Sequence, residues 1–279
     1  MAASGKKHTI SYVNYVGDVT QSKTTNSGKI HVRVRLKAMS ADYFRGTYNG
    51  VEKDLDTAAI APMISTTIEL PSGGTFEGLA LSIGTLDRVT TNGHGNTNDQ
   101  LSPWYKSNNY VGLSARFTKK WTAGITYTAY TSPSGLFATS QQITVASAYK
   151  NWLHPSIKFA TAIDSTRNDG VYAQVGIEPN IKVFKNTNYP VKLSLPLSVG
   201  GGFNDFYSTD SDHINQAGFA NGGVAATMPM KFIPSDYGSW KLHAGANVTA
   251  RDDDLRHRSG EHTDDTFIPM GYVEISLLY

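Results

Sequence analysis

The feature that most constrains this chain is an apolar alternation with a period of two residues, repeated through most of its length. Along Pro190–Val199, the side chains Val191, Leu193, Leu195, Leu197 and Val199 share one face, and Lys192, Ser194, Pro196 and Ser198 take the other. Trp240, Leu242, Ala244, Ala246 and Val248 oppose Lys241, His243, Gly245, Asn247 and Thr249. Ile30, Val32, Val34, Leu36 and Ala38 oppose His31, Arg33, Arg35 and Lys37; Val224, Ala226, Met228, Met230 and Phe232 oppose Ala225, Thr227, Pro229 and Lys231. Successive side chains of a strand point to opposite faces, so this period is the signature of β-structure, and few windows show the helical repeat. The same pattern predicts strands at 109–119, 120–131, 139–150, 155–165, 170–185 and 268–279, with weaker ones at 61–71 and 74–86. The sum is about twelve, each near the length that crosses a bilayer at a tilt.

The connections alternate too. Brief ones lie at 71–74, 119–120, 151–154, 186–189 and 234–237; longer ones lie at 42–60, 87–108, 203–216 and 252–267, with moderate ones at 132–138 and 166–169. Tight turns at one end and loops at the other are the asymmetry of a transmembrane up-and-down β-barrel, with short periplasmic turns and long extracellular loops. No run approaches the length of a membrane-crossing helix. The mean hydropathy of −0.31 looks water-soluble, but barrel strands present only one face to lipid, so an average over the chain conceals them.

Aromatic side chains gather at the short-turn ends: Phe117, Trp121, Tyr149, Trp152, Tyr189, Phe232, Tyr237, Trp240 and Tyr279. Their amphipathic rings suit a membrane interface and predict a girdle there, whereas an aromatic soluble core would spread them along the strands. Val273, Ile275, Leu277 and the last residue, Tyr279, share a face. An aromatic terminus preceded by alternate apolar residues looks like the C-terminal signal of outer-membrane proteins, and implies that segment 268–279 meets the assembly machinery.

Narrower likenesses follow. Ser40-Ala41-Asp42-Tyr43-Phe44-Arg45-Gly46 is similar to the Ser-Asp-Tyr-x-x-Arg-Gly signature of TorF-type porins, with Ala41 interposed. Gly73-Gly74-Thr75-Phe76-Glu77-Gly78-Leu79 resembles the strand that follows in that family, and Asp236-Tyr237-Gly238-Ser239-Trp240 resembles a turn near the end of such barrels. The resemblance implies a porin-like outer-membrane barrel and little about its substrate.

If the apolar faces meet lipid, the other faces line a lumen. That set holds His31, Arg33, Arg35, Lys37, Arg116, Lys158, Lys192, Lys231, Lys241, His243 and Arg251, against Glu69, Glu178 and Glu274, with Glu77 of uncertain side. The interior is basic although the whole chain carries only +2. Such cations either favour anions through a pore or pair with acids to brace a closed barrel, and both readings stay open.

The remaining chemistry is sparse. The chain has no Cys, which removes disulfides, thiol nucleophiles and thiolate metal sites. Near-neutral charge gives no reason to expect nucleic acid. Asp252–Asp265 and Asp205–His213 carry carboxylates with His257, Glu261, His262 and His213, but neither spacing is that of an EF-hand or a His-Glu-x-x-His site. These read as solvated loops, and Thr91–Asn96 as a flexible Gly loop, so no metal or cofactor is expected. Met1–Lys7 lacks the apolar core of a signal peptide, so an outer-membrane destination implies a mature sequence carrying a start Met. Residues 1–28 precede the barrel proper, 29–279; within them Thr9–Tyr15 alternates weakly, which suits a short strand, a partial plug or a flexible lead.

The expected function is therefore passive diffusion of small solutes, anions among the candidates, across the outer membrane, in contact with the lipid bilayer, with oligomeric state open. The alternative is a non-conducting barrel that acts through its loops as a structural, adhesive or docking protein. An outer-membrane enzyme would need a lipid-facing Ser–His pair, and His243 has the wrong face parity. A soluble β-sandwich would instead be extracted without detergent.

Overall fold

A computed structural model describes residues 8–24, 26–45, 47–48, 58–90, 104–135, 138–163, 170–187, 189–208, 214–257 and 265–279, with the side chains of Phe44, Thr47, Tyr48 and His257 left aside. In chain order the strands are β1 (His8–Val13), β2 (Val19–Thr24), β3 (Ile30–Met39), β4 (Tyr43–Phe44), β5 (Thr47–Tyr48), β6 (Ala59–Leu70), β7 (Gly78–Thr90), β8 (Trp104–Arg116) and β9 (Trp121–Thr131). They continue as β10 (Ser140–Tyr149), β11 (Ser156–Ala162), β12 (Val171–Ile177), β13 (Asn180–Val183), β14 (Val191–Ser194), β15 (Leu197–Phe203), β16 (Gln216–Pro229), β17 (Ser239–Arg251) and β18 (Phe267–Leu278). A 3-10 turn, η1 (Ser235–Tyr237), and a short helix, α1 (Asp253–His257), complete the described elements.

Neighbours pair antiparallel from β3 through β6–β11, then β12 with β15 and β13 with β14, then β16, β17 and β18. β18 returns to β3, with Tyr272 opposite Met39, so the sheet closes as a barrel of twelve strands. Two of those strands are interrupted. Pro179 divides β12 from β13, and Pro196 divides β14 from β15, because proline has no N–H to give to the ladder. One register nevertheless runs through both, from Ile177 opposite Leu197 to Asn180 opposite Ser194. Closure matters energetically, since a barrel leaves no edge of unpaired N–H and C=O groups.

The outward positions are apolar and exposed, among them Val34, Leu36, Ile64, Ile83, Ile125, Val145, Phe159, Val175, Leu197 and Val273. Inward neighbours are polar and buried, as with His31, Ser65, Thr67, Ser82, Ser114, Thr126, Thr128 and Thr144. That inversion of the usual soluble pattern suits an apolar surround rather than water. No described helix is long and apolar enough to cross a membrane.

Several strands run further than the alternation indicates. β7 reaches Thr90 and β8 begins at Trp104, which shortens the expected 87–108 loop. Tyr105, Lys106, Ser107 and Asn108 are all buried. A stretch covered on both faces loses the contrast on which alternation depends.

Residues 8–24 form a separate antiparallel hairpin, β1–β2, with Val13 opposite Val19. It stands inside the barrel. Ile10, Tyr12 and Val13 are buried, and a Cβ at inward-facing Gly112 or Gly124 would meet Val13 at 2.4 or 2.5 Å. Glycine at these two wall positions is what admits the hairpin. Thr9–Tyr15 thus contributes most of strand β1, and the hairpin that it opens occupies the lumen.

Candidate functional site

The lumen is the site, and the hairpin divides it. At the short-turn end, His8 and His31 both approach Glu69, and Arg116 donates to the Thr9 carbonyl at 2.6 Å. Along the hairpin, the Arg33 guanidinium lies 4.9 Å from the Tyr12 ring centroid, and Ser114 donates to Ser11 at 3.3 Å. At its tip, Thr128 donates to the Tyr15 carbonyl at 2.7 Å, and from the middle of β2 Gln21 donates to Thr122 at 2.6 Å. Lys158 of β11 forms an ion pair with Asp18. Burial is the largest influence on the Asp18 carboxyl and pushes its pKa up, but Lys158 and the Asn14 amide outweigh it and hold the group below its ordinary 3.8.

Above the tip, the loop after β3 folds into the lumen. Asp42 is 1% exposed; it accepts from Tyr105 Oη at 2.6 Å and pairs with Arg88 Nη1 at 3.0 Å. Arg45, held at φ +52°, donates to Gln142 at 2.7 Å and stands 4.5 Å from the Tyr172 ring centroid. Asp42 and Arg45 are the charged residues of the Ser40–Gly46 segment, and what they do here is tie that loop to opposite walls. Around Arg45, the rings of Tyr172, Phe206, Tyr207 and Phe219 pack with Ile214 and Leu255 at the long-loop end. Burial pushes the Tyr207 hydroxyl pKa upward, so it stays a neutral donor to the Arg45 carbonyl, at 2.9 Å.

Between the hairpin and β10–β15 a cavity of about 510 Å³ opens at the short-turn end, lined by Asp18, Thr122, His154, Lys158, Glu178 and Lys192 among others. Gln174, on its lining, accepts from the Tyr172 hydroxyl at 2.7 Å.

The lumen residues expected from alternation are placed as follows. His31, Arg33, Arg35, Lys37, Glu69, Arg116, Lys158, Lys192 and Glu274 carry interior interactions. Arg35 pairs with Glu274 at 3.6 Å, Lys192 with Glu178 at 3.0 Å, and Lys37 stands 4.2 Å from the Tyr272 ring centroid. His243 hydrogen-bonds Tyr272 at 2.9 Å, and Lys241 is the next residue on its face, across from Ser276. Arg251 lies buried beneath α1, donating to the Asp265 carbonyl, so it braces the long-loop end. Lys231 is a correction: β16 stops at Pro229, and Lys231 is exposed in the following turn. Past Met230, whose N–H still bonds Trp240, the chain turns out of the sheet, so parity no longer fixes direction.

The aromatic side chains at the short-turn end face outward, with Trp121, Tyr149, Trp152, Tyr189, Phe232, Tyr237 and Tyr279 exposed and Trp240 half-buried. A second group, Trp104, Phe203 and Phe267, is exposed at the opposite end, where each sits at the junction of a strand and a loop and alternation gives no signal. Alternation does not assign Arg88 or Tyr105, although the inward parity of β7 is an available signal for Arg88; Asp42 enters the sequence reading only through the Ser40–Gly46 likeness. Glu261, His262, Asp210, Asp212 and His213 lie outside the described residues, as does the Thr91–Asn96 loop.

Fold and site together define a closed twelve-strand antiparallel β-barrel with a plugged, polar interior. No family model matches the chain, and no curated protein matches it significantly.

Proposed function

We propose that the protein is an outer-membrane barrel that passes small solutes when its hairpin leaves the lumen, the arrangement described being the closed state. The observation that carries this is the β1–β2 hairpin seated in the lumen, held by polar and ionic contacts to the wall and by the buried side chains of Ile10, Tyr12 and Val13. The apolar exterior, the aromatic bands at both ends and the closed sheet support a membrane setting. The short turns and both barrel termini then face the periplasm, and β18 with Tyr279 suits recognition by the assembly machinery. The likeness of Ser40–Gly46 to TorF-type porins supports the same reading, and nothing in it calls for catalysis.

The open state should prefer anions. Withdrawal of the hairpin removes Asp18 from Lys158, the Thr9 carbonyl from Arg116 and the Tyr12 ring from Arg33. The bared wall is then richer in Arg and Lys than in the remaining Glu69, Glu178 and Glu274. A second reading, a non-conducting structural barrel, is favoured by the aromatic cluster around Tyr172 and Tyr207, which also narrows the long-loop end.

Planar-bilayer recordings of the full chain and of a chain lacking residues 1–28 separate the two. The full chain should be mostly closed and the truncated one steadily open, with a reversal potential in a salt gradient on the anion side. Arg33→Glu, Arg35→Glu and Lys37→Glu together should move that potential towards cations. A folded truncated barrel that carries no current would establish the structural reading instead.

A further inference from the structure

Three side chains from distant parts of the chain meet at the short-turn mouth: His8 on β1, His31 on β3 and Glu69 on β6. Nε2 of His8 lies 2.9 Å, and Nε2 of His31 2.6 Å, from the same Oε1 of Glu69. One donor atom from each residue lies within 4.8 Å of the others. The two rings are tilted at 57° with centroids 5.4 Å apart, so their edges converge on one point and do not stack. Two imidazole nitrogens and a carboxylate oxygen form a ligand set suited to Zn²⁺ and similar ions, and poorly suited to Ca²⁺ or Mg²⁺, which take oxygen ligands. The side chain of His31 is fully buried, whereas His8 and Glu69 are 33% and 31% exposed. An ion can therefore enter from the mouth, and a water can fill a fourth position.

We propose that His8, His31 and Glu69 bind a divalent transition-metal ion of the Zn²⁺ class, and that the ion staples the hairpin to the barrel wall. One ligand comes from the hairpin and two from the wall, so undocking costs the ion a ligand. By linkage, the ion then favours the docked hairpin to the same degree. Binding needs the Nε2 lone pair of each ring, so each neutral imidazole carries its proton on Nδ1 when the ion is held. Nδ1 of His31 is buried without a hydrogen-bond partner among the described residues. The site therefore lacks the acceptor that usually steadies a metal-bound histidine, which fits an exchangeable ion rather than a permanent one.

The test titrates Zn²⁺ into the untagged full chain, folded in detergent near neutral pH, beside His8→Ala. His8 lies at the start of the hairpin and outside the barrel ladder, so the variant should keep the folded, heat-modifiable form. The expected result is one ion per chain, bound at least about tenfold more weakly by H8A. Zn²⁺ should also slow amide exchange in residues 8–13 of the wild type and leave H8A unchanged. Equal affinity in both chains would put the ion elsewhere and overturn the site, as would the absence of one-to-one binding. Binding without slower exchange in β1 would overturn the staple. None of these readouts depends on whether the barrel conducts.

Discussion

Val13→Asp should open the lumen without touching the barrel wall. Val13 is 1% exposed, and its methyl groups fill the space left by Gly112 and Gly124. Removing the buried side chain forfeits about 1.5 kcal/mol of apolar burial. Placing an unpaired carboxylate in that dry niche costs at least about 2 kcal/mol more. Together, roughly 3.5 kcal/mol corresponds to about a 300-fold change in the ratio of docked to undocked hairpin. No cross-strand pair of the twelve-strand sheet involves Val13, whose ladder partner is Val19 within the hairpin. The barrel should therefore still migrate as a folded, heat-modifiable species. Single-channel recording reads the effect directly, since the open fraction should rise by up to that factor before it saturates. An open fraction equal to that of the wild type, in a demonstrably folded barrel, would refute the hairpin as the gate.

Acid should loosen the hairpin through Asp18. Because its folded pKa is depressed, the Lys158–Asp18 attraction is fully present above the ordinary carboxylate value of 3.8 and is lost as pH falls through the lower folded value. The Asp18 side chain is 47% exposed, so solvent screening keeps the change modest. Conductance should rise below about pH 4, and Asp18→Asn should remove that rise. Asp42→Ala acts on stability instead: it strips the buried Arg88 of its counter-ion and Tyr105 of its acceptor. A loss of about 3–5 kcal/mol is expected, checked by urea unfolding in detergent.

The barrel was legible because its wall has an apolar outer face and a polar inner one, and each strand presents them at alternate residues. Val34, Leu36 and Val273 declare the outward face, and the wall follows from them by parity. Parity also carried Arg33, Arg35 and Lys158 to the inside. It failed at Lys231, where the ladder ends, and at Tyr105–Asn108, where both faces are covered.

What fills the interior was another matter. An inward polar side chain is equally at ease beside water or beside another polar segment, so alternation cannot distinguish an open bore from a plugged one. The contacts that decide it join residues far apart in the chain: His8 with Glu69, 61 residues on, and Asp18 with Lys158, 140 residues on. The short hairpin carries little alternation of its own, and only the closed wall gives it a surface to dock on. Sequence alone determined a twelve-strand barrel with a basic lining, because each strand carries its outward and inward faces in its own alternation. Tertiary structure alone decided that the lining is paired and the lumen occupied, because those pairings exist only once the barrel has closed around the hairpin.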